Sequence, residues 1–570
     1  MLILVAFMHA AATFASLLMP YVMSITVDRG LVDGNAMAII FSAIVMVLIA
    51  AVSLLCSIVS NNLNARVATG FTSSVFRSIF KKVNSLSVEQ YSRIGSSGLL
   101  TRSTDDVFNL EGAAEELVYT VVTVPIMLIG GTVLSLAQDA ALALIFLVSV
   151  PPVLIFILIL VKPLSGMWDK ADSYIDMQNR IIRERLGGLR VVRAFNNEDR
   201  EHGRASHATE EMAKYIIRSN VRGGYIEPCA MLLLNLATVL IIYVGKERAL
   251  RGDLADAGQV IALIQYVALI ANAVLMLSWT IAWLPKLRVS AKRIGEIFDM
   301  PKEDVGAEDA STPVVCDGGA SIELREVSFT YPDSKLPILK NISLHIKNGE
   351  SVAIIGGTGS GKSTLIKLLL SFYDVSEGEI YLDGDPYSTL KKQNIRAHYS
   401  ASLQRGMIFE GTVRDNINMG KRDADDSELL ENAAHAELYD FITDKKEGLS
   451  YLLVGSGQNI SGGQKQRCNM TRALVKNAPI YVFDDSFSAL DFLTERRIQS
   501  SLNKRLAGKT RITVTQRVST ALAADRIICM DKGEIVGTGS HQELIQSCEV
   551  YREICISQLG RESVGGDEIG

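Results

Sequence analysis

Three short stretches of this 570-residue chain place residues suited to phosphate chemistry at informative spacings. Residues 351–364 read SVAIIGGTGSGKST, an apolar run leading into Gly356, Gly357, Thr358, Gly359, Ser360 and Gly361, then Lys362, Ser363 and Thr364. This is the G-x-x-x-x-G-K-S spacing of a Walker A loop. Its glycines let backbone wrap a polyphosphate without Cβ clashes. The loop N–H groups and the N-terminus of the next helix then face the anion. In such a loop Lys362 reaches the β- and γ-phosphates of ATP and Ser363 turns its hydroxyl to Mg²⁺. A chance glycine-rich turn is the competing account; the strand before it and the apolar helix Leu365–Leu370 after it speak against that. The second stretch, Ile480-Tyr481-Val482-Phe483-Asp484-Asp485, reads as the matching Walker B strand. Four apolar residues bury it, and Asp484 emerges at its end to hold Mg²⁺ through water; an ordinary strand ending in a turn is the alternative. The third is Asn459-Ile460-Ser461-Gly462-Gly463-Gln464-Lys465-Gln466-Arg467. A Ser and two glycines opening a helix make a second anion cradle, although taken alone they are also a capped helix start. Two cradles on one chain suggest that two chains sandwich the nucleotides.

These residues need a folded scaffold, and composition divides it in two. Hydrophobic residues make up 48% and charged residues 21%, with mean hydropathy +0.23. That excludes a disordered chain. The net charge of -5 gives no sign of nucleic-acid binding. The seven cysteines are scattered without CxxC, against a disulfide framework or zinc site. Residues 1–27, 34–65, 117–138, 140–161, 228–245 and 257–285 carry no Lys, Arg, Asp or Glu. Most are long enough to cross roughly 30 Å of hydrocarbon; 228–245 needs an earlier helix start. We read six transmembrane helices. The first could be a signal peptide but lacks a basic n-region. Long basic connections at about 61–116 and 163–222 place those segments, and with six spans both termini, in the cytoplasm. Periodic apolar residues such as Ile181, Leu186 and Leu189 predict paired helical extensions there. Glu227 is expected to be a helix-end carboxylate near Arg222 rather than an intramembrane group. Met276, Trp279 and Trp283 follow helical spacing, and packing against lipid or helices is expected ahead of a cavity. The fold class is therefore a membrane α-helical domain over 1–300, a polar linker over 301–320, an α/β P-loop domain over 321–558 and a flexible tail over 559–570.

The motifs together resemble the ATP-binding-cassette (ABC) proteins, and the resemblance covers nearly the whole chain. Ser461–Gln464 resembles the LSGGQ signature, with Ile460 for the leading Leu. Tyr331 in VSFTYP resembles the A-loop aromatic that stacks on adenine. Gln404 looks like the Q-loop glutamine, which touches Mg²⁺ and senses the membrane domain. Ser488-Ala489-Leu490-Asp491 matches the D-loop. GLLTRSTDDVFNLE and RLGGLRVVRAFNNEDRE look like the intracellular loops of six-helix exporters, and coupling is expected near Thr104–Leu110 and Ala194–Glu198. The chain begins inside helix one, without the family's cytoplasmic elbow helix, and the glutamate common upstream of the signature is absent.

Two positions depart from the family pattern. The residue after the Walker B Asp is usually a Glu that polarises the attacking water; here it is Asp485, one methylene shorter. A misplacement of that size can cost about 10²-fold. The switch histidine position in ITVTQRVST is Gln516, which can hydrogen-bond a phosphate oxygen but has no proton titrating near neutrality. A tolerated conservative change is the alternative for either alone. Together the resemblance implies one half of a heterodimeric exporter of amphipathic drugs, lipids or peptides in a bacterial inner membrane. Its own Walker site would bind ATP and cleave it slowly; its signature would serve the partner's stronger site. A regulatory or scaffolding subunit that binds ATP structurally is the competing class.

Overall fold

The computed structural model describes residues 1–251, 256–303, 318–332, 334–404 and 406–560. Most of the expected linker and all but the start of the expected tail lie outside the described residues. The chain divides into two compact units, Met1–Asn84 with Ile94–Met300, and Ser85–Arg93 with Pro301–Gly570.

The described elements of the first unit are helical: α1 (Leu2–Ile25), a π-helical turn (Thr26–Val32), α2 (Ala36–Val83), the part of α3 (Val88–Ser103) from Ile94 on, α4 (Asp105–Gln138), α5 (Ala140–Ala194), α6 (Glu198–Gly224), α7 (Ile226–Leu250) and α8 (Ala257–Asp299). Five stretches of described helix are long and apolar enough to cross a membrane: Leu2–Val32, Ala36–Val83, Val88–Gln138, Glu198–Arg248 and Ala257–Asp299. The expected span 140–161 lies on α5, where several side chains fall outside those described. The short run 228–245 gains length because α7 starts at Ile226 and continues to Leu250. α2 holds 48 residues and α5 holds 55. At 1.5 Å per residue α2 alone is about 70 Å long, more than twice the hydrocarbon thickness. The expected paired extensions are therefore continuous with the spans.

Charged and polar residues punctuate the helices. Asn35 caps α2 by accepting from the Met37 and Ala38 N–H groups. Asp139 caps α5 through the Ala141 and Leu142 N–H groups and pairs with Arg248 at 2.6 Å. Close helix approach uses small residues. A Cβ on Gly130 would come within 2.7 Å of Leu17, and one on Gly131 within 2.9 Å of Ile270. Tyr266 donates to the Leu17 carbonyl at 3.1 Å, and Ser60 to the Val5 carbonyl at 3.1 Å. Lower down, buried Asp106 accepts from Ser290 at 2.6 Å, linking α4 to α8. Glu227 is exposed in the first turn of α7. Trp279 and Trp283 depart from simple packing: they line a groove between α4 and α8.

The second unit carries twelve described strands: β1 (Ile322–Phe329), β2 (Leu339–Ile346), β3 (Ser351–Ile355), β4 (Glu377–Leu382), β5 (Asp385–Pro386), β6 (Tyr399–Ser402), β7 (Gly411–Thr412), β8 (Leu452–Leu453), β9 (Ile480–Asp484), β10 (Thr510–Thr515), β11 (Arg526–Asp531) and β12 (Glu534–Gly539). The main sheet runs β12-β11-β3-β10-β9-β6. Its strands are parallel except for edge strand β12. β3 and β9 read as nearly continuous apolar runs because a central parallel strand is covered on both faces. The second sheet, β2-β1-β4-β5, is antiparallel. Val352, Ile354, Leu365, Val482 and Ile512 share one buried core with Ile322, Leu324 and Ile342. A separate helical core around Ile417, Leu429, Leu438 and Ile442 carries the helix Gly462–Val475.

Candidate nucleotide-binding site

Parallel register brings the site together. Thr515 on β10 lies opposite Ile355 on β3, and Val514 lies opposite Asp484 on β9. The carboxyl ends of three neighbouring strands therefore open on one edge, where ligands of such sheets bind. There a cleft of about 350 Å³ is lined by Tyr331, Ile338, Thr358–Thr364, Gln404, Asp484, Asp485, Val514, Thr515 and Gln516.

The loop after β3 has the conformation its glycines predict. Gly359 and Gly361 have φ of +83° and +101°, and Gly361 begins the helix Lys362–Leu369. A Cβ on Gly356 would lie 2.2 Å from the Met530 carbonyl oxygen, so only glycine fits there. Lys362 is 7% exposed and donates from Nζ to the Gly356 and Gly357 carbonyls at 2.8 and 2.7 Å. Burial lowers its pKa, and the carboxylates of Asp484 and Asp485 push the other way. A bound polyphosphate supplies a stronger acceptor for this buried ammonium.

Asp484 is 6% exposed. Burial and the neighbouring Asp485 raise its pKa, partly offset by a hydrogen bond from Ser363 and by Lys362. Its Oδ1 has no hydrogen-bond partner among the described residues. A buried carboxylate with an orphaned oxygen, beside a serine hydroxyl, fits a hard divalent cation. Ser363, Asp484 and Gln404 are the residues that would hold Mg²⁺, which supplies positive charge to the phosphates. Asp485 adopts φ +48°, a left-handed conformation uncommon outside glycine. Its N–H donates to the Val514 carbonyl at 2.9 Å, and its Oδ2 accepts from Gln404 Nε2 at 3.4 Å. The position predicted for the water-polarising group thus faces the glutamine predicted to sense Mg²⁺. Gln516 lines the same cleft, exposed, with its carbonyl accepting from Gln558 at 2.6 Å.

Tyr331 packs edge-on against Phe329 and Tyr373, with ring centroids 4.9 and 5.2 Å away. Its hydroxyl lies 3.3 Å from Thr364 Oγ1, and Lys367 Nζ donates to it at 3.2 Å. The aromatic expected to stack on adenine is therefore at the rim of the loop that would take the phosphates.

The signature residues sit apart from this cleft. Ser461 caps the helix Gly462–Val475 in a reciprocal capping box: its Oγ accepts from the Gln464 N–H at 3.2 Å, and Gln464 Oε1 accepts from the Ser461 N–H at 2.8 Å. None of Ser461, Gly462, Gly463 and Gln464 lines the Walker cleft. Asp491 caps the helix Phe492–Arg505 through the Thr494 N–H at 3.0 Å, and that contact leads in lowering its pKa.

Sequence reasoning missed a polar clamp behind the D-loop. Arg517 donates to the Ser488 carbonyl at 2.8 Å and to Glu495 at 3.0 Å, and buried Glu495 also accepts from Thr520. Gln466, two residues past the signature, donates to Ser488 Oγ and accepts from the Ala489 N–H, both at 3.0 Å. The only signal was adjacency: Arg517 follows Gln516, and Gln466 follows the signature by two positions.

Comparison with known proteins fits this geometry. Residues 2–274 match the family described as ABC transporter transmembrane region, and residues 339–488 match the family described as ABC transporter. An uncharacterized ABC transporter ATP-binding protein of Mycobacterium tuberculosis is 34% identical over 563 residues, covering 98% of this chain and 96% of that protein. This chain belongs to the ABC transporter family. An ATP-dependent lipid A-core flippase of Hahella chejuensis is 31% identical, over 85% of this transporter and 83% of its own length. The solved structure of a bacterial Atm1-family ABC exporter with ATP bound superposes with a TM-score of 0.84 at 24% identity, covering 100% of this transporter and 98% of that chain. The transporter thus shares the fold of that exporter, a helical membrane domain fused to an α/β nucleotide domain, and is an integral membrane ABC transporter.

Proposed function

We propose that this transporter is the weakly hydrolysing half of a heterodimeric exporter that moves amphipathic drugs, lipids or peptides outward across a bacterial inner membrane, with both termini cytoplasmic. The observation that carries this reading is the pair Asp485 and Gln516 lining a cleft whose loop, lysine and Walker B carboxylate are otherwise in order. ATP and Mg²⁺ bind at Gly356–Thr364, Tyr331, Gln404 and Asp484. The shorter carboxylate at 485 holds the attacking water poorly, and the amide at 516 contacts the γ-phosphate without carrying a proton. The position of Ser461–Gln464 outside the chain's own cleft supports completion of each site by a second chain. In this reading the signature of the transporter meets the partner's Walker motifs and serves the faster site. ATP-driven closure pulls on the cytoplasmic helical extensions and turns the helices from inward- to outward-facing; hydrolysis in the partner's site resets them. The functional division falls at 1–300 and 321–558, joined by 301–320. The relative named as a lipid A-core flippase favours a lipid-like cargo.

The test restores the missing groups. The purified chain is expected to bind Mg²⁺-ATP but turn it over slowly. The double variant Asp485→Glu with Gln516→His is expected to raise single-chain ATPase by about 10²-fold or more, the range a well-placed general base supplies. Brisk turnover by the unaltered chain, abolished by Asp485→Asn, would remove the asymmetry.

A further inference from the structure

The membrane unit contains a polar cavity that the ATP chemistry does not use. It has a volume of about 360 Å³ between α1, α2 and α4, and its lining includes His9, Asn61, Asn64, Glu115, Glu116 and Thr123. His9 is 3% exposed and Thr123 1%, yet neither His9 Nε2 nor Thr123 Oγ1 has a hydrogen-bond partner among the described residues. Unpaired polar atoms this deeply buried call for a ligand or water. The His9 ring is held edge-on by Tyr119 at 5.0 Å, and Asn64 Nδ2 is engaged by the Glu115 carbonyl at 3.0 Å. No Lys or Arg is among the described residues lining the cavity, which contains two carboxylates.

Glu116 also lines a groove between α4 and α8, a cavity of about 530 Å³ whose walls include Phe108, Leu117, Trp279, Trp283 and Leu284. Lys286 lies in that groove, with Nζ 5.0 Å from the Trp283 ring centroid. It is six residues beyond Thr280, about 9 Å along the helix axis, and Thr280 is the residue of α8 that hydrogen-bonds Thr120 beside Glu116. One carboxylate therefore lines both a polar cavity and an aromatic, apolar groove, at the foot of the charge-free run 117–138. Both glutamates are exposed on α4, immediately before the charge-free run, where a charged head group can reach them.

We propose that these two cavities, which share Glu116, bind a cationic amphiphile, with its protonated amine at Glu116 and Glu115, a hydrogen bond to His9 or Thr123, and its apolar chain along Trp279 and Trp283. The amine belongs to a free amphiphile or to an aminolipid headgroup. This assignment of substrate class rests on the exporter reading.

Dodecylamine and dodecanoate, each carrying the same fluorophore, would be titrated onto the full chain in phosphatidylcholine discs. The amine is expected to bind at least tenfold more tightly than the carboxylate. Glu116→Gln is expected to remove roughly tenfold of the amine's affinity, the effect of losing one charge-assisted contact, and not to weaken binding of the carboxylate. Trp279→Ala is expected to shrink the advantage of dodecylamine over hexylamine while keeping the charge preference. Competition by added phosphatidylethanolamine assigns the site to a lipid headgroup, and lack of competition to a free amphiphile. Equal affinity for amine and carboxylate in the unaltered chain, or an unchanged amine affinity in Glu116→Gln, overturns the proposal. Export is scored separately: amine binding that Mg²⁺-ATP fails to release in the assembled pair leaves the site standing and sinks the exporter reading of it.

Discussion

At the scale of single residues, Asp484 is the group whose electrostatics most depend on what binds. It is buried, adjoins Asp485 and has an oxygen without a partner. Its folded-state pKa is above the unfolded value, so the empty fold holds the proton more tightly than the unfolded chain does. That contribution to stability is present below the unfolded pKa and is lost as pH rises through the folded-state pKa. As pH rises past the unfolded pKa the carboxylate therefore becomes a burden on the nucleotide-free domain, which Mg²⁺ with ATP offsets. Asp484→Asn is expected to raise the melting temperature of the nucleotide-free protein near pH 7, by about 2–4 °C for each kcal/mol regained. The same variant is expected to lose most of the further stabilisation that Mg²⁺-ATP gives the unaltered protein. Thermal scans from pH 5 to 8, with and without Mg²⁺-ATP, check both signs. A variant that melts lower than the parent in the empty state would show that Asp484 is satisfied without a metal.

At the scale of elements, the parts legible in the sequence were those where one backbone segment carries both the signal and the geometry. The Walker A loop is such a case, because Gly359 and Gly361 are dictated by their own φ angles. The long continuations of α2 and α5 beyond their apolar runs were legible from charge and periodicity. Contacts between distant segments were not. The Arg517–Glu495 pair bridges 22 positions and Gln466–Ser488 another 22, and nothing in either segment announces its partner. The groove containing Trp279 and Trp283 was read as packing because helical spacing fixes which side of α8 they occupy but not what stands opposite. Two predictions belong here. Glu495→Ala strands the Arg517 and Thr520 donors, and is expected to cost about 1–3 kcal/mol and to loosen the D-loop, read as faster proteolysis near Ser488. Gly95 breaks α3 with φ +76° and ψ 155°, a conformation essentially confined to glycine, and a Cβ there would meet nothing within 4 Å. Gly95→Ala therefore tests backbone strain alone. It is expected to cost about 1–3 kcal/mol, seen as a lower melting temperature with ATP affinity intact.

At the scale of the whole molecule, the decisive fact is that the chain carries two phosphate cradles that do not share a cleft. Thr358–Thr364 line one cavity, while Ser461–Gln464 begin a helix elsewhere in the same domain. In the reading proposed above, such a chain contributes to two nucleotide sites at once, one through each motif. In a symmetric pair both sites are the same, so Lys362→Ala and Ser461→Ala would each damage both, and ATPase would fall to a similar floor. In an unequal pair the two variants separate. Lys362→Ala would strike only the slow site bounded by Asp485 and Gln516, whereas Ser461→Ala would strike the fast site built on the partner's Walker motifs. The expected result for the assembled transporter is that Lys362→Ala retains most ATPase turnover. Ser461→Ala is expected to lose about 10²-fold or more, the scale of removing one preorganised transition-state donor. Binding of a fluorescent ATP analogue should show the reverse order at this chain's own cleft, lost in Lys362→Ala and kept in Ser461→Ala. If Lys362→Ala alone abolishes turnover, the chain's own cleft is the working site, and the shorter carboxylate at 485 must reach the attacking water after all.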